Sequence, residues 1–365
     1  MILGAVGDAL GFPVEAGVAE RVDGFIEWRM GKELVREGEY SDDTQLSLAV
    51  ARSIWDGRFH PEYFAYVELP LWVYYQRGAG RSTMKAAMNL FSPRIQWYSN
   101  YYVGYDDAGG SGGAMRVFPI FLKVSTESVV EDTFKSVMIT HGHSAAFAGA
   151  FVLLSAFRAE RELSSILSSL DELTSELEEM KSVPEISKWA RERKGDFWKR
   201  LEEELEKARR MLSMIDEIPS YGEYCDIVGE KKHPGMGTTT ALCAVYLYLK
   251  LSAREAIFTA ANERGTDTDT IASMVGNLFR ESEEELEDLV EKVQDSRYIA
   301  LLEKSEGKRR EVDRNAVRSW AMEYEKGLKE GKLPSKHPIF GKLELLEDRG
   351  KRRMFRTEEG QSVLL

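Results

Sequence analysis

Cysteines and long apolar runs are scarce in this 365-residue sequence, and their scarcity limits the classes of protein to which it can belong. Its two cysteines, Cys225 and Cys243, have no metal-ligand spacing and indicate no disulfide framework. No apolar run reaches the roughly 20 residues that a membrane-spanning helix needs. The N-terminus, from Met1 to Asp8, lacks the basic start and the long apolar centre of a signal peptide. We therefore expect a cytoplasmic protein that does not contact a membrane.

Basic residues are also in deficit, because 49 Lys and Arg stand against 61 Asp and Glu, which gives a formal net charge of −12. A general nucleic-acid-binding surface needs a basic stripe, so the charge argues against that class. An apolar content of 43% and a charged content of 30% are typical of a globular protein. Strand signals are few, and the apolar residues mostly recur at helical spacing. The sequence therefore predicts an all-α fold.

The composition predicts three parts within this fold. A compact multi-helix domain is expected at residues 1–305, with charged helices inserted at 158–232. Residues 306–365 are expected to form a small C-terminal extension, with a hairpin near 343–346. Gly and Pro in residues 221–237 favour a loop there.

The inserted segment differs from the rest in its charge pattern. Glu, Lys, Arg, Leu and Ser dominate residues 158–217, as in surface helices with ion pairs four residues apart. We expect this segment to project from the domain and to contact a partner protein or a second copy of the chain. The alternative is that its Leu, Ile and Trp residues close the core.

A dense group of oxygen donors lies between two predicted helices near residue 267. The first helix begins with a capping box, Ser252 to Glu255, and Gly265 fits its C-terminal stop. Asp267 and Asp269 follow with three threonine hydroxyls around them, and the next helix then begins. Two buried carboxylates cost several kcal/mol each unless something pairs with them, and a hard divalent cation would do so. The alternative is that one residue caps the helix and Asp267 faces water.

A second acidic group opens another predicted helix. Ser41, Asp42 and Asp43 precede an apolar face that continues toward Gly57, where the helix is expected to end. Helix capping again explains acidic residues at this position. If the two groups meet in the fold, however, their carboxylates would repel one another without cations. A binuclear metal site is the simplest arrangement that reconciles them, on the condition that they meet.

The first segment of the chain carries a stripe of glycines. Gly4, Gly7 and Gly11 lie on one face of a predicted helix, which indicates that another element approaches closely. Phe12-Pro13 is expected to end this helix, and Glu15 to follow on the loop. Taken alone, Glu15 has the character of a solvated loop carboxylate.

Glycines and histidines form two further candidate sites. Residues 106–116 are rich in glycine, which lets backbone N–H groups approach a ligand, although a flexible connection is the usual reading of such a loop. His141 and His143 precede a small-residue helix, and capping and packing would account for them. We expect one of them to contact a ligand, and oxygen atoms to bind the metals.

Taken in order, five blocks resemble the ADP-ribosylglycohydrolases related to the dinitrogen-reductase-activating glycohydrolase. The blocks span roughly residues 1 to 280. The resemblance implies a compact all-α domain with two divalent cations, Mg²⁺ or Mn²⁺, in a central cleft. The blocks are Gly7-Asp8-Ala9-Leu10-Gly11 through Glu15, Ser41-Asp42-Asp43-Thr44, Gly110-Ser111-Gly112-Gly113-Ala114-Met115-Arg116, Thr140-His141 and Asp267-Thr268-Asp269-Thr270.

The resemblance also implies roles for individual residues. Glu15 matches a glutamate that takes part in hydrolysis, and Asp43 is the other candidate for moving a proton. Ser41 stands where threonine is usual, and Ser111 replaces a common asparagine. The implied metal ligands are Ser41, Asp42, Asp43, Asp267, Asp269 and Thr270. The implied substrate contacts are Gly78, Gly80, Asp107, Gly109, Gly110, Ser111, Gly112, Gly113, Met115 and His141.

Two hypotheses of function follow from this resemblance. The first is a metal-dependent hydrolase that cleaves the glycosidic bond at ribose C1 of ADP-ribose and frees a modified protein or another acceptor. The second is a non-catalytic ADP-ribose-binding protein, or an immunity protein that blocks a transferase through the inserted helices. Retention of the ligand set favours the enzyme, because a binding protein needs no activated water. The sequence does not indicate whether the acceptor is arginine, serine, a nucleic-acid base or a small molecule.

Overall fold

Helices make up most of the chain in the computed structural model, which describes residues 1–280, 283–305 and 310–365. The all-α prediction is confirmed. Within the described residues, no helix is both long enough and apolar enough to cross a membrane. The first eight helices are α1 (Ile2–Glu15), α2 (Asp42–Arg52), α3 (Pro61–Tyr63), α4 (Leu69–Tyr75), α5 (Arg81–Asn89), α6 (Phe118–Lys123), α7 (Val129–Met138) and α8 (Ser144–Arg158). The others are α9 (Leu163–Met180), α10 (Pro184–Arg191), α11 (Phe197–Ser213), α12 (Tyr221–Val228), α13 (Gly237–Lys250), α14 (Ala253–Asn262), α15 (Thr268–Leu278), α16 (Glu287–Lys292), α17 (Ser296–Lys304) and α18 (Arg314–Lys329).

Helices α1 and α15 pack with their backbones in contact. A Cβ atom on Gly7 would lie 2.1 Å from the carbonyl oxygen of Ala272. A Cβ atom on Gly11 would lie 2.4 Å from the Cα of Asp269. Any larger residue would force the helices apart, so the close approach expected from the glycine stripe is confirmed. This packing fixes Asp269 against the C-terminal half of α1.

Helix α1 continues past the point where the sequence predicted its end. The expectation that Phe12-Pro13 stops the helix is wrong, because α1 contains Pro13 and ends at Glu15. A proline in a helix removes one backbone hydrogen bond, and near the C-terminus the bond from the amide of Ala16 to the carbonyl of Phe12 (3.0 Å) still closes the last turn. Glu15 therefore stands on the last helical turn and not on a loop.

The inserted helices pack on the rest of the molecule. Leu173 of α9 and Trp189 of α10 are fully buried, and so is most of the apolar face of α11. Phe147 of α8 contacts the rings of Trp189 and Phe197, with centroids 5.2 and 5.0 Å apart. The expectation that residues 158–217 project from the domain is wrong, because their charges lie on one face and their apolar side chains close the core.

Strands of the described residues form three small antiparallel sheets. Two hairpins that the sequence did not predict are β1 (Trp28–Met30) with β2 (Glu33–Val35), and β3 (Ile54–Trp55) with β4 (Arg58–Phe59). The C-terminal sheet has the order β5 (Lys336–His337), β6 (Gly341–Asp348), β7 (Arg353–Thr357) and β8 (Ser362–Leu364). The hairpin expected near 343–346 is therefore confirmed as part of a larger sheet. The expected start of the extension, residue 306, lies outside the described residues.

Helix α2 is shorter than predicted because a hairpin follows it. The helix ends at Arg52, and not near Gly57. Asp56 and Gly57 both adopt positive φ angles, 51° and 66°, and form the turn between β3 and β4. An Asp-Gly pair is a common signal for such a two-residue turn, so this signal was present in the sequence.

The C-terminal sheet is joined to α2 by a buried arginine. The guanidinium of Arg52 donates to both carboxylate oxygens of Glu68, over 2.9 and 2.7 Å. It also donates to the side-chain oxygen of Gln361 over 2.7 Å. Both ionic partners are almost completely buried, so the pair and the amide fix the end of α2 against the sheet.

Candidate active site

The N-termini of α2 and α15 face each other, which brings the two acidic groups together. The hydroxyl of Thr270 donates to Oδ2 of Asp43 over 3.2 Å. Ser41 caps α2, because its Oγ accepts from the amide of Asp43 over 3.2 Å. The same hydroxyl lies 3.4 Å from Oδ2 of Asp43. The two acidic groups therefore meet in the fold, which was the condition for a binuclear site.

Asp43 carries one carboxylate oxygen without a partner. Its Oδ1 atom is buried, and no donor reaches it among the described residues. A buried oxygen of this kind is costly unless a donor or a cation satisfies it. The hydroxyls of Ser41 and Thr270 contact the other oxygen of the same carboxylate, and hydroxyl and carboxylate oxygens are the ligands that Mg²⁺ and Mn²⁺ prefer. The residues at this position therefore fit a hard divalent cation.

A second group of carboxylates lies where α1 ends against α15. One carboxylate oxygen from each of Glu15, Asp267 and Asp269 lies within 4.8 Å of the others. Burial, and then the charge of Asp267, raises the pKa of Glu15 to about 7, although part of the side chain is exposed. Burial raises the pKa of Asp267, and burial and the charge of Glu15 raise that of Asp269 well above its ordinary value. These carboxylates repel one another, and a cation bound among them would relieve the repulsion.

Asp42 faces a glycine turn that the resemblance assigned to the substrate. The amide of Gly80 lies 3.4 Å from Oδ2 of Asp42. A Cβ atom on Gly78 would lie 3.5 Å from Oδ1 of Asp42, and the φ angle of Gly78 is +76°. Burial, and then the charges of Asp8 and Glu15, raises the pKa of Asp42 well above its ordinary value. The turn and the acidic group therefore form one surface.

Asp8 has a positioning role that the sequence did not reveal. Its Oδ1 accepts from the amide of Ser41 over 2.8 Å. Its Oδ2 accepts from the amide and the hydroxyl of Thr44, over 2.9 and 2.6 Å. Asp8 thus satisfies free N–H groups at the start of α2 and joins that start to α1. Asp8 belongs to the first sequence block, but its contact with Ser41 spans 33 residues and only the fold shows it.

Glu230 is a second residue that sequence reasoning missed. It is fully buried, and its Oε1 accepts from the amides of Gly235 and Asp267, over 2.9 and 3.3 Å. Its other oxygen accepts from the hydroxyls of Thr239 and Thr240. Burial, and then the charge of Asp267, raises its pKa to about 7. The expected loop at 221–237 is wrong in its first half, because Ser220 caps the short helix α12 there, and Glu230 follows that helix.

The glycine-rich loop, residues 109–113, lies between the α12–α13 connection and a histidine. The amide of Ser111 donates to the carbonyl of Gly235 over 2.7 Å, so this N–H group is already paired. The hydroxyl of Ser111 donates to Oδ2 of Asp267 over 2.9 Å. On the other side, a Cβ atom on Gly112 would lie 3.4 Å from Cε1 of His141. The loop therefore touches both the acidic group and the predicted ligand-contacting histidine.

A buried arginine links the glycine-rich loop to Thr140, next to His141. Arg116 donates to the carbonyl of Gly112 over 2.6 Å and to the hydroxyl of Thr140 over 2.7 Å. That hydroxyl lies 2.8 Å from Nδ1 of His141. Burial lowers the pKa of Arg116 to about 9. Burial and the charge of Arg116 lower the pKa of His141 to about 3, so its imidazole is neutral at pH 7.

Two expected substrate contacts have unlike surroundings. Met115 is buried in the hydrophobic core, and Asp107 is exposed at the end of a 3-10 turn (Tyr105–Asp107). Their contact with a substrate stays a prediction. The acidic surface brings together Glu15, Ser41, Asp42, Asp43, Asp267, Asp269 and Thr270.

A pocket opens beside this acidic surface. Its volume is about 480 Å³, which is enough for part of a nucleotide-sized ligand. Glu15, Gly235 and Asp267 line it, and exposed Arg264 stands at its edge. The chemistry available here is that of carboxylates of raised pKa beside an open cleft.

Comparison with known proteins gives one family. The family model described as ADP-ribosylglycohydrolase matches residues 1–279. Among solved structures, the chain is similar to an "ADP-ribosylglycohydrolase-related protein complex", with a TM-score of 0.47 and 18% sequence identity. That likeness covers 76% of this chain and 84% of the other. No curated protein matches the sequence.

Proposed function

Because the chain belongs to the ADP-ribosylglycohydrolase family, we propose that it hydrolyses the glycosidic bond at ribose C1 of ADP-ribose and frees a modified protein or another acceptor. The family supports a glycohydrolase in general, and the acceptor and the metal dependence belong to the proposal. The observation that carries it is the junction of Asp43 and Thr270, which unites two acidic groups around a buried oxygen that has no partner in the part of the chain that the structure describes.

Two divalent cations, Mg²⁺ or Mn²⁺, are proposed for this junction. When bound, they would supply positive charge that fixes the ribose hydroxyls and lowers the pKa of a nearby water. Glu15 would share in binding one of them, since its carboxylate lies beside Asp267 and Asp269. The proposed ligands are Ser41, Asp42, Asp43, Asp267, Asp269 and Thr270.

Glu15 is proposed to move the proton in this reaction. Cleavage at C1 builds positive charge on the ribose ring, and water must lose a proton as it attacks. In the metal-free protein, burial and the charge of Asp267 raise the pKa of Glu15 to about 7; a bound cation would lower it, which leaves Glu15 an ionised carboxylate that can accept a proton. Asp43 is the other candidate, but its Oδ2 already accepts from Thr270. Solvent access at the pocket also favours Glu15 over the buried Asp43.

The glycine-rich loop and His141 are proposed to bind the rest of ADP-ribose. The amide of Ser111 is used within the protein, so the pyrophosphate must rely on other groups of residues 109–113. Neutral His141 offers a ring nitrogen as a donor or an acceptor without adding a charge. Gly78 and Gly80 would line the opposite wall, next to Asp42.

A panel of ADP-ribosylated substrates tests the proposal. Arginine-, serine-, nucleic-acid- and small-molecule-linked ADP-ribose are each incubated with the protein and Mg²⁺ or Mn²⁺, and free ADP-ribose is measured. Release from at least one substrate, and its loss with a chelator, is expected. A protein that binds ADP-ribose but releases none across the panel would support the binding-protein alternative.

A further inference from the structure

Two arginines in the turn between β6 and β7 reach back to the loops of the candidate site. Arg349 and Arg352 lie outside residues 1–279, the part of the chain that the family model matches. The side chain of Arg349 is only 3% exposed. Its guanidinium donates to both carboxylate oxygens of Glu39, over 2.8 and 2.7 Å, and to the carbonyl of Leu34 over 2.9 Å. A buried two-bond pair of this kind holds its partner in one orientation.

Glu39 holds the segment that leads into α2. It lies two residues before the helix cap Ser41. Its carboxylate also accepts from the amide of Arg36 over 3.0 Å and lies 3.3 Å from the guanidinium of Arg77. Arg77 in turn donates to the carbonyl of Tyr40 over 2.7 Å. The backbone on the N-terminal side of Ser41 is therefore tied to Arg349 through one carboxylate.

Arg352 holds the second loop of the site. It donates to the carbonyl of Gln76 over 2.7 Å and to the carboxylate of Glu33 over 3.1 Å. Gln76 accepts from the amide of Ala79 within the glycine turn. The next residue, Gly80, faces Asp42. Arg352 thus fixes the start of the turn against which Asp42 rests.

We propose that the C-terminal sheet is a positioning element of the metal site, with Arg349 and Arg352 as its positioning residues. They touch neither the candidate ligands nor the pocket, and act through Glu39 and Gln76. The inference rests on the proposed metal-dependent function, because it assigns these residues to the preorganisation of Ser41, Asp42 and Asp43. Removal of a direct partner of a metal ligand typically lowers metal affinity about 10- to 100-fold, and these arginines act one contact further away, so we expect a smaller loss.

The test is the affinity of the folded protein for Mn²⁺. Arg349→Lys keeps the charge but loses the two-bond pair, and Glu39→Gln keeps the shape but loses the charge. Each variant is checked by circular dichroism, and Mn²⁺ binding is measured by calorimetry at a temperature where it is folded. Both are expected to bind Mn²⁺ several-fold more weakly, below the roughly 10- to 100-fold loss typical of a direct partner of a ligand. Arg353→Met is the matched control, because Arg353 lies in the same hairpin and pairs with exposed Asp348 over 3.1 Å.

Combination of the two changes separates positioning from general destabilisation. If Arg349 acts through Glu39, the double variant should bind Mn²⁺ about as weakly as either single variant. A role confined to stability would lower the melting temperature and leave the Mn²⁺ affinity of the folded variants unchanged, and that result would overturn the proposal. A wild type that binds Mn²⁺ but releases no ADP-ribose would contradict the proposed function and leave this inference standing.

Discussion

The hydroxyl of Thr270 lies 3.2 Å from a carboxylate oxygen of Asp43, although 227 positions separate the two residues in the chain. Both stand in the first turn of a helix, where free N–H groups partly compensate negative charge. This compensation is typically about 1 kcal/mol, which is small beside the cost of several buried carboxylates. The arrangement therefore accumulates repulsion that a cation, if bound as proposed, would relieve.

Replacement of Asp269 by Asn should remove metal-dependent turnover and stabilise the metal-free protein. Asn keeps the size of the side chain but removes a carboxylate whose own pKa is raised by burial and by the charges of Glu15 and Asp43. The melting temperature without metal should rise, and the increase that Mn²⁺ produces in the wild type should shrink. Asp288→Asn is the control, since Asp288 is exposed and pairs with Lys292. Wild-type turnover in Asp269→Asn would remove Asp269 from the ligand set.

Replacement of Glu15 by Gln should separate proton transfer from binding. The rate should fall by about 10²- to 10⁴-fold, the usual contribution of a general acid or base, while ADP-ribose affinity changes much less. Turnover, Mn²⁺ affinity and ADP-ribose affinity are measured on the same preparation. Parallel loss of all three would mean that Glu15 acts mainly as a ligand. Glu20→Gln, at an exposed carboxylate near the pocket edge, should behave as the wild type.

Replacement of Gly11 by Ala should damage both the fold and the metal site. The new methyl group would lie 2.4 Å from the Cα of Asp269, so α1 and α15 must separate. Overpacking of this kind costs roughly 1–3 kcal/mol, and more where backbone must move. Chemical denaturation and Mn²⁺ binding measure the two effects. Gly24→Ala is the control because nothing lies within 4 Å of its Cβ position, and an equal loss there would contradict the packing argument.

Replacement of Arg193 by Met should weaken ADP-ribose binding and leave Mn²⁺ binding intact. Arg193 pairs with Asp106 over 2.8 Å and lies 4.0 Å from the ring centre of Tyr101, so the inserted segment supports the chain that leads into the glycine-rich loop. Equilibrium binding of ADP-ribose measures the effect, which should be about tenfold. Arg209→Met, which breaks an exposed pair with Asp171, is expected to have no effect. Unchanged ADP-ribose affinity in Arg193→Met would mean that the inserted segment closes the core and does not support the glycine-rich loop.

Features with a local signature could be predicted from the sequence. The capping box of Ser252 and Glu255 forms as expected, and Gly265 has a φ angle of +88° after the helix. Acidic residues stand in the first turns of α2 and α15, where free N–H groups favour negative charge. Glycines at helical spacing likewise predicted that another element packs closely against α1. These signals depend on neighbours within a few positions.

Contacts across long separations could not be predicted in the same way. Glu230 looks like any loop glutamate until the fold brings it to the amide of Asp267. Arg349 is one of many charged residues near the end of the sequence, and its burial against Glu39 depends on a sheet whose strands have weak signals. The packing of the inserted helices could not be predicted, because the composition of an amphipathic helix reveals its charges but not the element against which its apolar face packs.

The hydrogen bond between Arg52 and Gln361 bears on the order in which parts of this protein can reach their final packing. Arg52 ends the helix that begins with Asp42 and Asp43, and its partner Gln361 follows 309 positions later. Glu68 can pair with the guanidinium early. The side-chain oxygen of Gln361, which accepts another of its hydrogen bonds, is present only after that residue has been translated. The helix that opens the candidate site therefore reaches its final packing only after nearly all the residues described have been translated.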